Sequence, residues 1–253
     1  MNIDLRGQTA LITGASGQLG RVMARTLAQC GADVVIHYIQ NELKAAELQA
    51  EIEGIGRRAV TVQADVTKAD EVTAMKERAF GLTGAVDIVV ANAVVQYNWT
   101  SVLDQPTEDY ISQFESCVIQ SVLLAKAFVP DMVKRKKGRI IGINTECSMQ
   151  NFPSQSAYVS GKRGMDGLYR VLAKEVGEHQ VTVNQVAPGW TISDRDRENQ
   201  TERQASYDSN VPMKRRGTDQ EIANVVAFLA SDLASFITGA FIPVNGGNIM
   251  PTI

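Results

Sequence analysis

Short β-branched runs alternate with longer amphipathic stretches along most of the chain. Seven runs, "TALIT", "DVVIHY", "RAVTVQ", "VDIVVAN", "GRIIGIN", "VTVNQVAP" and "AFIPVN", are rich in the residues that pack well on a pleated surface covered from both sides. Between them the apolar positions recur at helical spacing. Helices are predicted to begin near Leu19, Asn41, Lys68, Thr107, Gln155 and Thr218, several of them after a Ser, Thr, Asp or Asn able to cap the first turn. Strand and helix in strict alternation predict an α/β protein, a doubly wound parallel sheet between two helical layers. No repeat, low-complexity tract or Pro/Gly/Ser-rich linker divides the sequence, so residues 1–253 are expected to form one domain.

Two stretches interrupt the rhythm. "TISDRDRENQTERQASYDSN", Thr191 to Asn210, is polar, carries both charge signs and lacks glycine and proline. It follows a strand's carboxyl end, where ligands of open α/β sheets bind. Either it is a lid over the substrate, spanning roughly 190–213, or it is a solvated excursion. "KRKKGR", Lys134 to Arg139, resembles a nucleic-acid patch, but it fits better as a helix end whose cations complement the dipole before Gly138 stops the helix.

Composition narrows the function classes. With 28 acidic and 25 basic residues the formal charge is −3, so no overall field favours nucleic acid or an anionic membrane, and small-molecule chemistry is expected. The start of the chain lacks a signal-like basic and apolar pattern, and no apolar run reaches the ~18 residues of a membrane span, so no membrane partner is expected. Cys30, Cys117 and Cys147 are odd in number and far apart. They suit neither a disulfide framework nor a zinc site, so no metal is expected and a cytoplasmic location is.

The candidate chemistry starts at "TGASGQLG", Thr13 to Gly20. Gly14, Gly17 and Gly20 follow a strand and open a helix, where backbone N–H groups and the positive dipole end converge on one point suited to phosphate. Tyr158 and Lys162, four apart in the helical stretch "SAYVSGKRGMDGLYRVLAKEV", project from one face. A phenol is a weak base at neutral pH, and a nearby ammonium is expected to draw its pKa down into a working range.

With "DVT" at Asp65 to Thr67, "ANA" at Ala91 to Ala93, "YVSGK" at Tyr158 to Lys162, "APGW" at Ala187 to Trp190 and "NGG" at Asn245 to Gly247, in that order after the glycine turn, the sequence resembles the short-chain dehydrogenase/reductase family. The resemblance covers nearly the whole chain and implies a Rossmann-like sheet of seven strands and a nicotinamide dinucleotide. It further implies hydride transfer between that cofactor and a secondary alcohol or ketone, of 3-oxoacyl or sugar/polyol type. By that resemblance Tyr158 is the acid/base, Lys162 tunes it and holds the nicotinamide ribose, and Thr145, thirteen residues before the tyrosine where the family commonly has serine, orients the substrate oxygen.

The cofactor is implied to meet Gly14, Ser16, Gln18, Leu19 and Gly20 at the turn and Tyr38 at the end of the second strand. Asp65 is implied to hold the adenine amino group beside Val66, unless it only caps the next turn. Asn92 and Ala93 would lie under the cofactor, and Pro188, Gly189 and the backbone near Ile192 beside the carboxamide. The sequence departs from the family in four places: Gln18 and Val94 stand where glycines are usual, Thr145 where serine is, and Cys117 where an asparagine completes the catalytic set. No carboxylate follows the second strand to hold a ribose 2′-hydroxyl, which tilts the expectation from NAD(H) to NADP(H), although no cation stands ready for a 2′-phosphate either. The family also implies a homo-oligomer, tetramer or dimer, paired through the helices carrying Cys117 and Tyr158. Two further readings follow from the departures: a cofactor-binding sensor or scaffold of weakened catalysis, and a cofactor-free lyase on the same fold.

Overall fold

A computed structural model describes residues 2–250. Seven parallel strands form one sheet in the order β3-β2-β1-β4-β5-β6-β7: β1 (Thr9–Ile12), β2 (Asp33–Tyr38), β3 (Ala59–Gln63), β4 (Ile88–Ala91), β5 (Gly138–Ile143), β6 (Val181–Pro188) and β7 (Phe241–Val244). Each lies within one of the seven apolar runs. Every strand pair is parallel, so all carboxyl ends open on one edge of the sheet. The winding direction reverses between β1 and β4, which leaves a crevice at that edge.

Helices cover both faces. On one side α1 (Gln18–Gln29), α2 (Glu42–Gly54) and α9 (Asp219–Ala230) set Met23, Leu27, Leu48, Ile222 and Val226 against the even side chains of β1 and β2. On the other, α3 (Ala69–Thr83), α5 (Gln120–Arg135) and α6 (Ser156–Val176) contribute Met75, Phe128, Met165 and Tyr169. Strands buried on both faces explain why their sequence reads as continuous apolar runs. Helix α9 starts on a capping box, in which Thr218 accepts from the Glu221 N–H and the Glu221 carboxylate accepts from the Thr218 N–H.

Two expectations need correcting. The helix that starts at Thr107 is not uniform: α4 (Thr107–Phe114) passes through a π turn, Glu115–Ile119, into α5. The stretch Thr107–Arg135 has the length and composition of a membrane span, but half of its most apolar window is buried inside the protein, as in a core helix. Its apolar residues Leu124, Phe128 and Met132 are instead spent on the sheet. Finally, α5 ends with Lys136 in the left-handed region, φ 51°, and Gly138 opens β5 rather than closing the helix.

The polar segment after β6 folds into two short helices, α7 (Asp194–Glu198) and α8 (Ala205–Asp208). It is tied down by charge. Arg216, fully buried, donates from Nη2 to Asp196 at 2.7 Å and to the Thr191 carbonyl at 2.8 Å, and its guanidinium lies 4.5 Å from the Trp190 ring centroid. Arg197 makes a two-pronged pair with Asp219 at the start of α9, and Arg21 on α1 pairs with Asp194.

Candidate active site

At the carboxyl end of β1 the chain turns at Gly14, whose φ of +64° a side chain would strain. The Gly14 N–H donates to Nδ1 of His37 at 2.9 Å, and His37 Nε2–H donates to the Ala64 carbonyl at 2.8 Å. One buried imidazole therefore joins the glycine turn to the ends of β2 and β3. Burial lowers its pKa and keeps it neutral, the form this pattern requires. Six residues on, Gly20 packs so closely that a Cβ would stand 2.3 Å from the Gly14 carbonyl oxygen. The first N–H groups of α1, those of Gln18, Leu19 and Gly20, have no carbonyl one turn back within the helix. They face the crevice as an anion site does.

A cavity of about 550 Å³ extends from this turn along the sheet edge. Gly14, Ser16, Gln18, Leu19 and Gly20 border one end. Asp65 and Val66 border it after β3, and Asn92, Ala93 and Val94 after β4. Asn92 donates to the Thr13 carbonyl at 2.9 Å, fixing β4 to the turn. Asp65 borders the cavity, and its Oδ1 accepts from the Thr67 N–H at 2.9 Å, capping the turn after β3. Pro188 and Gly189 close the far end with Tyr158 and Lys162.

Two expected contacts fall elsewhere. Tyr38 points into the apolar core, because side chains alternate along β2 and it is His37 and Ile39 that border the cavity. The Ile192 backbone is already engaged: its N–H donates to the Gly217 carbonyl, and its carbonyl accepts from Gln18 Nε2 at 2.8 Å. Gln18, in place of a glycine, thus binds the turn to the segment after β6. The free N–H groups, the close packing at Gly20 and the elongated cavity fit a dinucleotide pyrophosphate.

Helix α6 brings Tyr158 and Lys162 to the same cavity. Lys162 is buried, its Nζ donates to the Ile143 carbonyl at 2.6 Å, and it lies 5.7 Å from the centroid of the Tyr158 ring. The electrostatics differ from the sequence expectation. Burial drives the Tyr158 pKa well above the ordinary phenol value, with Cys147 and Cys117 adding to the rise and the Thr145 hydroxyl opposing it, and burial lowers that of Lys162. Desolvation of the phenolate dominates the shift, so the phenol is protonated at neutral pH.

Cys117 is also corrected. It borders neither cavity and packs in the apolar cluster, its Sγ 3.3 Å from the place of a Cβ on Gly161. The π turn presents its neighbour instead: Ser116 borders the dinucleotide cavity, and its buried Oγ has no partner among the described residues.

A second cavity, of about 930 Å³, adjoins the first. Its walls are largely aromatic, with Tyr97, Trp99, Phe152, Trp190 and Tyr207, and the segment after β6 supplies Trp190, Thr191, Ser206, Tyr207 and Asn210. Trp99 stacks on Tyr158, with centroids 6.2 Å apart, and Tyr97 Oη accepts from the Tyr158 N–H at 2.8 Å. Thr145 and Tyr158 border both cavities. Tyr97, Trp99, Tyr207 and Ser116 carry no signal in the sequence, whereas Glu146 directly follows Thr145 at a strand's carboxyl end.

The comparisons agree with this geometry. A family model described as enoyl-(acyl carrier protein) reductase matches residues 14–248. The chain is 35% identical over 253 residues to a 3-oxoacyl-(acyl-carrier-protein) reductase of Staphylococcus epidermidis, covering 96% of this chain and 99% of the relative. It is 35% identical over 247 residues to nodulation protein G of Rhizobium meliloti, covering 98% of this chain and 99% of the relative. Among solved structures, a putative gluconate dehydrogenase of Agrobacterium tumefaciens superposes with TM-score 0.91 at 28% identity, all of both chains being covered. A promiscuous keto-reductase of lugdunomycin biosynthesis gives 0.90 at 33%, with 97% of this chain and 99% of the other covered.

The chain belongs to the short-chain dehydrogenase/reductase family. It is an NAD(P)-dependent oxidoreductase acting on alcohol and keto groups, and the sensor or scaffold alternative is not favoured.

Proposed function

We propose that the enzyme works as a carbonyl reductase at neutral pH, with the reacting carbonyl held where the two cavities meet. The observation that carries this is the shared position of Thr145 and Tyr158, the only two hydroxyl side chains besides Thr191 to border both spaces among the described residues. A nicotinamide dinucleotide in the narrower cavity supplies hydride in reduction and receives it in oxidation. The Tyr158 Oη gives its proton to the carbonyl oxygen in reduction and takes it back in the reverse direction. Thr145 donates a hydrogen bond to the same oxygen, and Lys162, anchored on Ile143, contributes positive charge beneath the phenol.

NADP(H) is favoured over NAD(H), because His37 and Ile39 border the adenosine end of the cavity beyond β2 and neither is an anion that would repel a 2′-phosphate. Residues 190–213 act as the lid of the substrate cavity, held by Arg216 and by the Gln18 contact with Ile192. Three free cysteines suit a cytoplasmic enzyme. A homo-oligomer is supported by exposed Ile111, Phe114 and Val171 on the helices α4 and α6, and sedimentation measures it.

The test is a panel of ketones with NADPH and NADH, followed by nicotinamide absorbance. Turnover with tighter NADPH binding supports the reading. Tight dinucleotide binding with no ketone reduced would overturn it.

A further inference from the structure

We propose that Glu146 sets the substrate class: a neutral, hydroxylated ketone or its polyol, and not a compound with an anion close to the reacting carbon. The inference rests on the assignment of the 930 Å³ cavity as the substrate site.

Glu146 immediately follows Thr145 and begins the short turn Glu146–Ser148 at the mouth of β5. It borders the substrate cavity yet is only 2% exposed. Its Oε1 accepts from Tyr207 Oη at 2.7 Å, and its Oε2 accepts from Asn248 Nδ2 at 3.1 Å. Among the described residues it pairs with no Lys, Arg or His, whereas the other buried carboxylates Asp33, Asp87, Asp208 and Asp219 each meet an arginine. An ionised carboxylate without a cation is costly to bury. A carboxylate offers about four acceptor sites, so two remain here for a donor that arrives with the ligand.

The surrounding wall does not neutralise it. Among the described residues, the cavity is bordered by aromatic rings and by side-chain amides such as Gln96, Gln150 and Asn210, and by no Lys or Arg. An anionic group entering beside Thr145 would meet the Glu146 charge directly, while the Lys162 ammonium lies beneath Tyr158 in the adjoining cavity. A hydroxyl would find an acceptor, and aromatic faces for the carbon skeleton. Tyr207 ties this charge to the lid, since its Oη also accepts from the Trp190 N–H at 2.9 Å, and its pKa is raised by burial and by the Glu146 carboxylate. Specificity here comes from repelling the wrong ligand as much as from holding the right one.

Three small ketones separate charge from donation: 4-hydroxy-2-butanone carries a hydroxyl, methyl acetoacetate is neutral without a donor, and acetoacetate is anionic. Initial rates with NADPH give kcat/KM for each with the wild-type enzyme, Glu146→Gln and Tyr207→Phe. The wild type is expected to prefer the hydroxyketone over acetoacetate by at least tenfold, with the ester between. Glu146→Gln should shrink the penalty on acetoacetate at least fivefold, while Tyr207→Phe, which keeps the carboxylate, should retain the discrimination. Equal use of acetoacetate and the hydroxyketone by the wild type overturns the inference, whether or not Glu146→Gln folds. So does an unchanged ratio in a folded Glu146→Gln enzyme. Failure of all three ketones with dinucleotide bound overturns the underlying site assignment instead.

Discussion

Replacing His37 by leucine tests how the dinucleotide turn is built. The imidazole is buried, accepts from the Gly14 N–H and donates to the Ala64 carbonyl. Leucine fills similar space but leaves both backbone groups without a partner, at about 1–3 kcal/mol each. Because Gly14 is half-buried and can recover some hydration, the expected total is roughly 2–4 kcal/mol. For a chain of this length that lowers Tm by roughly 5–15 °C. The loss falls at the phosphate end of the cavity, so NADPH affinity should drop by about tenfold or more. His37→Gln, with one acceptor and one donor, should recover much of both.

The pH dependence gives an independent reading. The folded pKa of His37 is depressed below the ordinary value of 6.5, so between the two values the unfolded chain binds a proton that the native protein does not. Its stabilisation is present above pH 6.5 and is lost as pH falls from there through the folded pKa, by up to about 1.4 kcal/mol per pH unit. Thermal or urea unfolding from pH 8 to 5 should show this slope in the wild type and not in His37→Leu, taken as the difference between the two. A native His37 that titrates near 6.5 by NMR, or a leucine variant with unchanged stability and NADPH affinity, would refute the argument.

Tyr158→Phe should abolish ketone reduction while dinucleotide affinity, measured by fluorescence titration, stays within about twofold. Because burial raises the phenol pKa, the wild-type reduction rate should hold from neutral into alkaline pH, and alcohol oxidation should climb with pH as the phenolate forms. Gly20→Ala forces a Cβ to within 2.3 Å of the Gly14 carbonyl, so loss of NADPH binding and a stability drop of about 1–3 kcal/mol are expected by calorimetry. Arg216→Met strands Asp196 and three lid carbonyls, which should cost roughly 3–5 kcal/mol and raise KM more than it lowers kcat.

The strands, their parallel alternation, the glycine turn and the Tyr158–Lys162 pair are legible in the amino-acid sequence alone. Burial on both faces writes itself into "DVVIHY" and "GRIIGI" as apolar runs interrupted only by Asp33, His37 and Arg139, and the glycine turn and the Tyr158–Lys162 pair lie within one or two turns of chain. Contacts made across the fold were not legible. Whether Cys117 or Ser116 meets the cavity depended on a π turn, and whether Tyr38 or His37 does depended on which face of β2 turns outward at its end. Above all, the pKa of Tyr158 is shifted up where spacing suggests a shift down, because spacing reports that an ammonium is near but not how far both groups are taken out of water. Glu146, Tyr207 and Asn248 lie 61 and 102 residues apart along the chain from the first to each of the others, and only the closing of the segment after β6 over the sheet edge makes them one wall.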